Sequence, residues 1–210
     1  MDVKNNPKQH LIVGVFSLAL VIILHYLLDL EWAKAFARTS FILLFLIMII
    51  GPLTRIKTPT KSVAPLANPW RWRGELGIWF FLTALLHFIL LLTDRSLSTM
   101  IKLGGSGYSL TNFIGLGALI ITLLLAISSF GKVISWLGVR SWQRLHGLTH
   151  VVFYLVSAHY IYFQFFSTYG RVGPDWFGWM AITMTIIAIL LQIIAFIKII
   201  TKQDKRKDVH

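Results

Sequence analysis

Six stretches of about twenty mostly apolar residues run through this chain, and they leave few folds open. Such a stretch is long enough to cross hydrocarbon as a helix. There a helix satisfies its own backbone, whereas an open sheet edge does not. The runs cover approximately 11–30, 36–53, 74–93, 110–130, 145–166 and 176–200. They are continuous in hydrophobicity, while barrel strands alternate over about ten residues. The sequence therefore predicts an all-α fold: an integral membrane bundle of six transmembrane helices forming a single domain over 1–210, with a basic tail at 201–210. At 210 residues, one bundle is expected, with no room for a separate soluble catalytic domain. The first run follows Lys4 and Lys8 and leads into Leu28-Asp29-Leu30-Glu31-Trp32 with no small-residue cleavage site, so it reads as a span and not as a cleaved signal.

The formal net charge of +12 could suggest nucleic acid, but in a membrane chain basic residues first report orientation. Fifteen of the twenty lysines and arginines flank one side of the predicted bundle: the N-terminus, the second and fourth connections and the tail. The second connection alone holds Arg55, Lys57, Lys61, Arg71 and Arg73. Both termini and the tail are thus expected on the cytoplasmic side, with the lipid bilayer as the first partner and no nucleic acid.

Histidines are the unusual polar content of the runs. A titratable ring inside hydrocarbon is costly, so it pairs, faces the bundle interior or binds a metal. With no cysteine in the chain, thiolate sites and covalent haem attachment are excluded, and histidine is the best metal ligand left. His87 comes 13 residues after Gly74 and His159 comes 14 after Leu145, on two runs that start from the same face. Both therefore belong at one depth in the outward half, and His146 belongs at the cytoplasmic end. Two imidazoles at one level on separate helices can clamp a metal or a planar cofactor, haem iron above all, since its axial positions lie on opposite faces of the ring. Phe80, Phe81, Phe88, Phe153 and Tyr154 could wall that ring or serve as ordinary packing. His150 lies one turn beyond His146, which permits a zinc pair that lacks a third ligand. His25 reads as a packed or hydrogen-bonded histidine. At about 100° per residue His146 and His159 do not share one face of an ideal helix, so two stacked sites do not follow from spacing.

The segments RTSFILLFLIMIIGPLTR (38–55), RWRGELGIWFFLTALLHF (71–88) and SWQRLHGLTHVVFYLVSAHY (141–160) resemble the haem-binding membrane subunit of the bacterial methionine sulfoxide reductase system, within the wider ferric-reductase-like transmembrane superfamily. The most specific pieces are W-x-x-L-H, followed thirteen residues after its histidine by H-Y, and L-H-F in the third run. The resemblance implies a bacterial cytoplasmic-membrane protein in which His87, His146 and His159 are the haem-linked positions, with His87 and His159 the axial pair of an outward haem b. It also implies electrons entering from a separate reductase or from quinol, in some members through flavin mononucleotide (FMN), and leaving to a periplasmic molybdenum enzyme that repairs oxidised methionine. Arg73 and Gly74 stand where the superfamily's second histidine pair would need a partner for His146. A second haem, a flavin or a quinone at that end stays open. By depth, Arg38 is the candidate for a haem propionate.

The expected function is electron transfer across the membrane by haem b, as a subunit of an oxidoreductase system. The alternatives are a small proton-coupled transporter or channel with intramembrane histidines, or a scaffold subunit with structural ones.

Overall fold

The computed structural model describes residues 7–56, 72–94, 96–100, 108–166 and 173–207. Among them every regular element is helical: α1 (Pro7–Ile22), α2 (Trp32–Ile56), α3 (Arg73–Asp94), α4 (Leu97–Met100), α5 (Tyr108–Ser128), α6 (Gly131–Leu137), α7 (Val139–His146), α8 (Thr149–Ile161) and α9 (Trp176–Lys207). α1 and α8 each widen into a terminal π turn, Ile23–Leu27 and Tyr162–Phe166. The connection carrying Lys57, Lys61, Trp70 and Arg71, the glycine-rich segment 104–107, and the last residues of the tail lie outside the described residues.

Five helices are long and apolar enough to cross a membrane: Pro7–Leu27, Trp32–Ile56, Arg73–Asp94, Leu110–Ser128 and Trp176–Thr201. The stretch expected as the remaining span, 145–166, is not one helix. It breaks at Gly147 and Leu148 into α7 and α8, and His159, Tyr160, Tyr162 and Gln164 dilute its apolar character. α7 buries no residue and exposes Arg140 and Arg144, as suits a short amphipathic helix lying along an interface. In α2, Pro52 stands inside the last turns, and the helix continues to Ile56 instead of stopping there. The Thr54 hydroxyl donates to the carbonyls of Ile50 and Gly51, at 3.0 and 2.8 Å, and knits the end of that helix together.

Contacts between elements define the bundle. α2 packs on α3 and α8, and α5 packs on the same two, while α3 and α8 make little direct contact with each other. Four helices therefore form a ring with α3 and α8 on one diagonal. α9 lies outside along α2 and α8, and α1 lies outside along α2 and α3. α1 is seated closely. The Trp79 indole donates to the His10 carbonyl at 3.1 Å, and a Cβ on Gly14 would come within 2.4 Å of that indole, so only glycine lets the ring lie flat on α1. The core runs through the bundle as Leu43, Leu44, Ile47 and Met48 of α2, Leu76 and Phe80 of α3, Leu125 of α5, Val152 and Phe153 of α8 and Ala188 of α9.

Side-chain contacts fix the direction of each helix. His87, late in α3, meets Ala33 at the start of α2, so α2 and α3 are antiparallel. His159, late in α8, meets Thr111 early in α5, so α5 and α8 are antiparallel too. Arg38 early in α2 pairs with Asp175 just before α9, and Lys198 late in α9 reaches Ile56 at the end of α2, so α2 and α9 run parallel. One end of the bundle thus gathers His87, His159, Arg38 and Asp175. The other gathers Arg55, Arg73, His146 and Lys198.

Candidate functional site

At the first end two histidines are held in the same way. Nδ1 of His87 lies 2.8 Å from the Ala33 carbonyl, and Nδ1 of His159 lies 2.7 Å from the Thr111 carbonyl. A carbonyl oxygen only accepts, so in both rings Nδ1 carries the proton and donates it. Nε2 of each neutral ring then keeps its lone pair. This is the arrangement that orients an imidazole for a metal, with the far nitrogen fixed by a backbone acceptor and the near one available. The two rings stand on the diagonal helices α3 and α8. His159 is seated on Gly115 of α5. A Cβ there would lie 2.7 Å from its Cε1 and 2.9 Å from its Nδ1.

Beside them, Arg38 is 3% exposed. Its Nη2 donates to Oδ2 of Asp175, and its guanidinium lies 5.3 Å from the Trp176 ring and 5.1 Å from the Phe177 ring. Nη1 is buried and meets no acceptor among the described residues. Asp175 is tied down by its other oxygen, which accepts the Gly178 amide at 3.0 Å and caps the start of α9. The Gln164 side chain accepts the Asp175 amide at 3.4 Å and donates to the Tyr160 hydroxyl at 3.1 Å. Phe41, Tyr160 and Phe177 form an aromatic layer beneath this network, with ring centroids 5.5 to 6.2 Å apart.

His146 is built differently. Its Nε2 lies 3.2 Å from the Ser128 hydroxyl, which itself donates to the Leu125 carbonyl at 2.9 Å. Ser128 thus engages the Nε2 that His87 and His159 leave open, and no backbone carbonyl holds Nδ1 of His146 among the described residues. Its ring stacks obliquely on Trp142, with centroids 4.5 Å apart. Lying ahead of α8, outside any span, it has its pKa lowered to about 4, first by burial and then by the charge of Arg73. Seventeen residues of α5 separate Ser128 from Thr111, so the partners of His146 and His159 lie about 25 Å apart along that helix. Beside His146 the indole nitrogen of Trp142 is buried without an acceptor among the described residues, as is that of Trp72, the residue before Arg73.

The other histidines do local work. His25, in the π turn, lies 2.6 Å from the Leu30 carbonyl and stacks on Trp32 at 3.8 Å, closing the turn between α1 and α2. His150 is exposed and lies 3.1 Å from the Gly147 carbonyl, and among the described residues no three His, Asp or Glu side chains converge as a metal cluster. Tyr154 is turned toward α9, where its hydroxyl donates to Gln192 at 2.9 Å, so it does not wall the histidine pair. Sequence reasoning missed Asp175, Gln164, Ser128 and Gly115. Only Asp175 carried a signal, as a helix-capping acid in Pro174-Asp175-Trp176.

Comparison with known proteins adds a family. A family model described as the ferric reductase like transmembrane component matches residues 36–157. Over 137 residues the chain is 30% identical to the protein-methionine-sulfoxide reductase heme-binding subunit MsrQ of Ralstonia nicotianae, a match covering 64% of this chain and 59% of that protein. Over 107 residues it is 29% identical to magnetosome protein MamZ of Magnetospirillum gryphiswaldense, covering 49% of this chain and 16% of that one. The chain thus spans about three-fifths of the first relative and about a sixth of the second.

Proposed function

The chain belongs to the ferric reductase like transmembrane component family, and from that premise we propose that it is a haem b electron-transfer protein of the bacterial cytoplasmic membrane. The observation that carries this reading is the matched pair of imidazoles, His87 and His159. They stand on diagonal helices, and each donates Nδ1–H to a backbone carbonyl and keeps Nε2 for a ligand. The residues fit the group. His87 and His159 would hold it through their two neutral Nε2 atoms, and the buried, unsatisfied Nη1 of Arg38 would offer a donor to a propionate. Haem held by these two histidines would supply one-electron chemistry. One haem is assigned to this pair. His146, with its Nε2 engaged by Ser128, is the weaker ligand and more suited to the donor side.

In this reading the chain crosses the membrane six times. α8 with its π turn forms the short fifth crossing, and both termini and the tail are cytoplasmic. The orientation is supported by Arg55, Arg73, Arg140, Arg144 and Lys198, all at or near the His146 end. A cytoplasmic reductase or quinol delivers electrons there, where Arg73 and the indole donors of Trp72 and Trp142 suit a flavin phosphate or a carbonyl-bearing ring, FMN included. The acceptor lies outside, at the His87–His159 end. The name of the Ralstonia relative makes a periplasmic methionine sulfoxide reductase, a molybdenum enzyme by the resemblance, the first partner to try.

The test is haem content. Protein purified from haem-replete cells should show a Soret band, a sharp α band with dithionite and about one haem b per chain by pyridine haemochrome. His87→Ala and His159→Ala should lose most of that haem, and His10→Ala should keep it. Full loading in both core variants refutes the pairing. A colourless wild-type protein returns the histidines to a proton-coupled transporter.

A further inference from the structure

Asp175 has a task that the haem reading does not include, although the inference rests on that reading. Arg38 stands at the same end of the bundle as both candidate ligands. It follows by five residues along α2 the carbonyl of Ala33, which receives His87. Its guanidinium also lies 5.1 Å from the Phe177 ring, which packs at 5.5 Å against Tyr160, the residue after His159. A guanidinium in a protein does not lose its proton, so its charge is permanent, and in a low-dielectric bundle such a charge is felt over many ångströms. Here the charge is not left bare. Asp175 takes Nη2, while Nη1, 3% exposed with the rest of the residue, keeps an N–H with no acceptor among the described residues. Asp175 is itself pinned by the Gly178 amide and by Gln164, so its position does not depend on Arg38 alone.

We infer that Arg38 and Asp175 form a charge-compensated post that sets the reduction potential of the haem held by His87 and His159. Arg38 supplies the N–H that meets an acidic edge of that group. Asp175 is the positioning residue, which aims the guanidinium and offsets its charge. Reduction brings one electron to ferric iron and lowers the charge of the site by one. An uncompensated cation nearby therefore favours the reduced form, and an uncompensated carboxylate favours the oxidised form. The post holds the potential between those extremes.

The experiment is a potentiometric titration of the α band, with redox mediators, on the full chain in nanodiscs, with haem content read in parallel by pyridine haemochrome. Asp175→Asn leaves Arg38 uncompensated and should raise the ratio of reduced to oxidised haem at fixed ambient potential on the order of tenfold, about 59 mV upward for one electron. Arg38→Gln leaves the carboxylate uncompensated and should shift the ratio about as far the other way. Asp175→Glu keeps the charge and should shift less than Asp175→Asn. The double variant Arg38→Gln/Asp175→Asn removes both charges and should fall between the two single variants. Simple loosening of the fold does not produce shifts of opposite sign. Should Asp175→Asn fail to accumulate, Arg38→Gln and the double variant carry the test, since the potential of the second must lie above that of the first. Potentials that move in one direction, or that stay put in haem-loaded variants, overturn this inference and leave the histidine pair intact. Absence of haem from the wild type removes both.

Discussion

Gly115→Ala tests the seat of His159, and its size can be worked from the contacts. The new Cβ would lie 2.7 Å from Cε1, 2.9 Å from Nδ1 and 3.3 Å from Nε2 of the ring, where ordinary contact begins at 3.4 Å. The ring must retreat by roughly 0.7 Å. Its bond to the Thr111 carbonyl, 2.7 Å at present, would stretch to about 3.4 Å if the retreat follows that axis, outside useful hydrogen-bond range. Overpacking of this kind costs about 1–3 kcal/mol. Loss of the outer hydrogen bond of a ligating histidine typically lowers affinity for the bound metal by about 10–100-fold. Haem retention should therefore fall by at least about tenfold, read as haem per chain after dilution with an apo-haem acceptor. Gly117→Ala is the matched control, two residues along the same helix. A Cβ there meets nothing within 4 Å, and alanine favours the helix by up to about 1 kcal/mol. Gly117→Ala should load normally. If Gly115→Ala retains haem as Gly117→Ala does, with an unchanged low-spin spectrum, the ring does not sit where the ligand reading needs it.

Two further outcomes follow from the fold. Gly14→Ala drives a methyl into the Trp79 indole and should destabilise the docking of α1 by about 1–3 kcal/mol, seen as a lowered thermal midpoint in detergent; an unchanged midpoint would show that α1 is not held by that contact. A C-terminal reporter active only in the cytoplasm is expected from the basic end of the bundle, and a reporter active only in the periplasm would reverse the orientation.

The helical class was legible because long apolar runs admit little else, and α2, α3, α5 and α9 each arise from one such run. The fifth run was harder. Its apolar count is respectable, but Gly147 and a string of tyrosines, histidines and glutamine turn a single reading into a short amphipathic helix, a 13-residue helix and a π turn. The likeness of His87 and His159 was readable as matched depth. The means by which each ring is held was not readable, because the acceptors are main-chain carbonyls of Ala33 and Thr111, and every residue has one. The contrast with His146 was hidden for a similar reason: its Nε2 is engaged by Ser128, eighteen residues earlier on another helix. The Arg38–Asp175 pair spans 137 positions, and no local pattern joins them. Gly115 and Gly117 look alike in the sequence, and only the packing of α8 tells them apart.

Because both rings are anchored by main-chain oxygens, the acceptor at Ala33 or Thr111 does not depend on the identity of the side chain there. A residue of another type that packs as well in either place would leave the imidazole facing the same way. A survey of residue preferences across relatives would then pass over the very points that fix how the histidines face, and would credit only the histidines themselves.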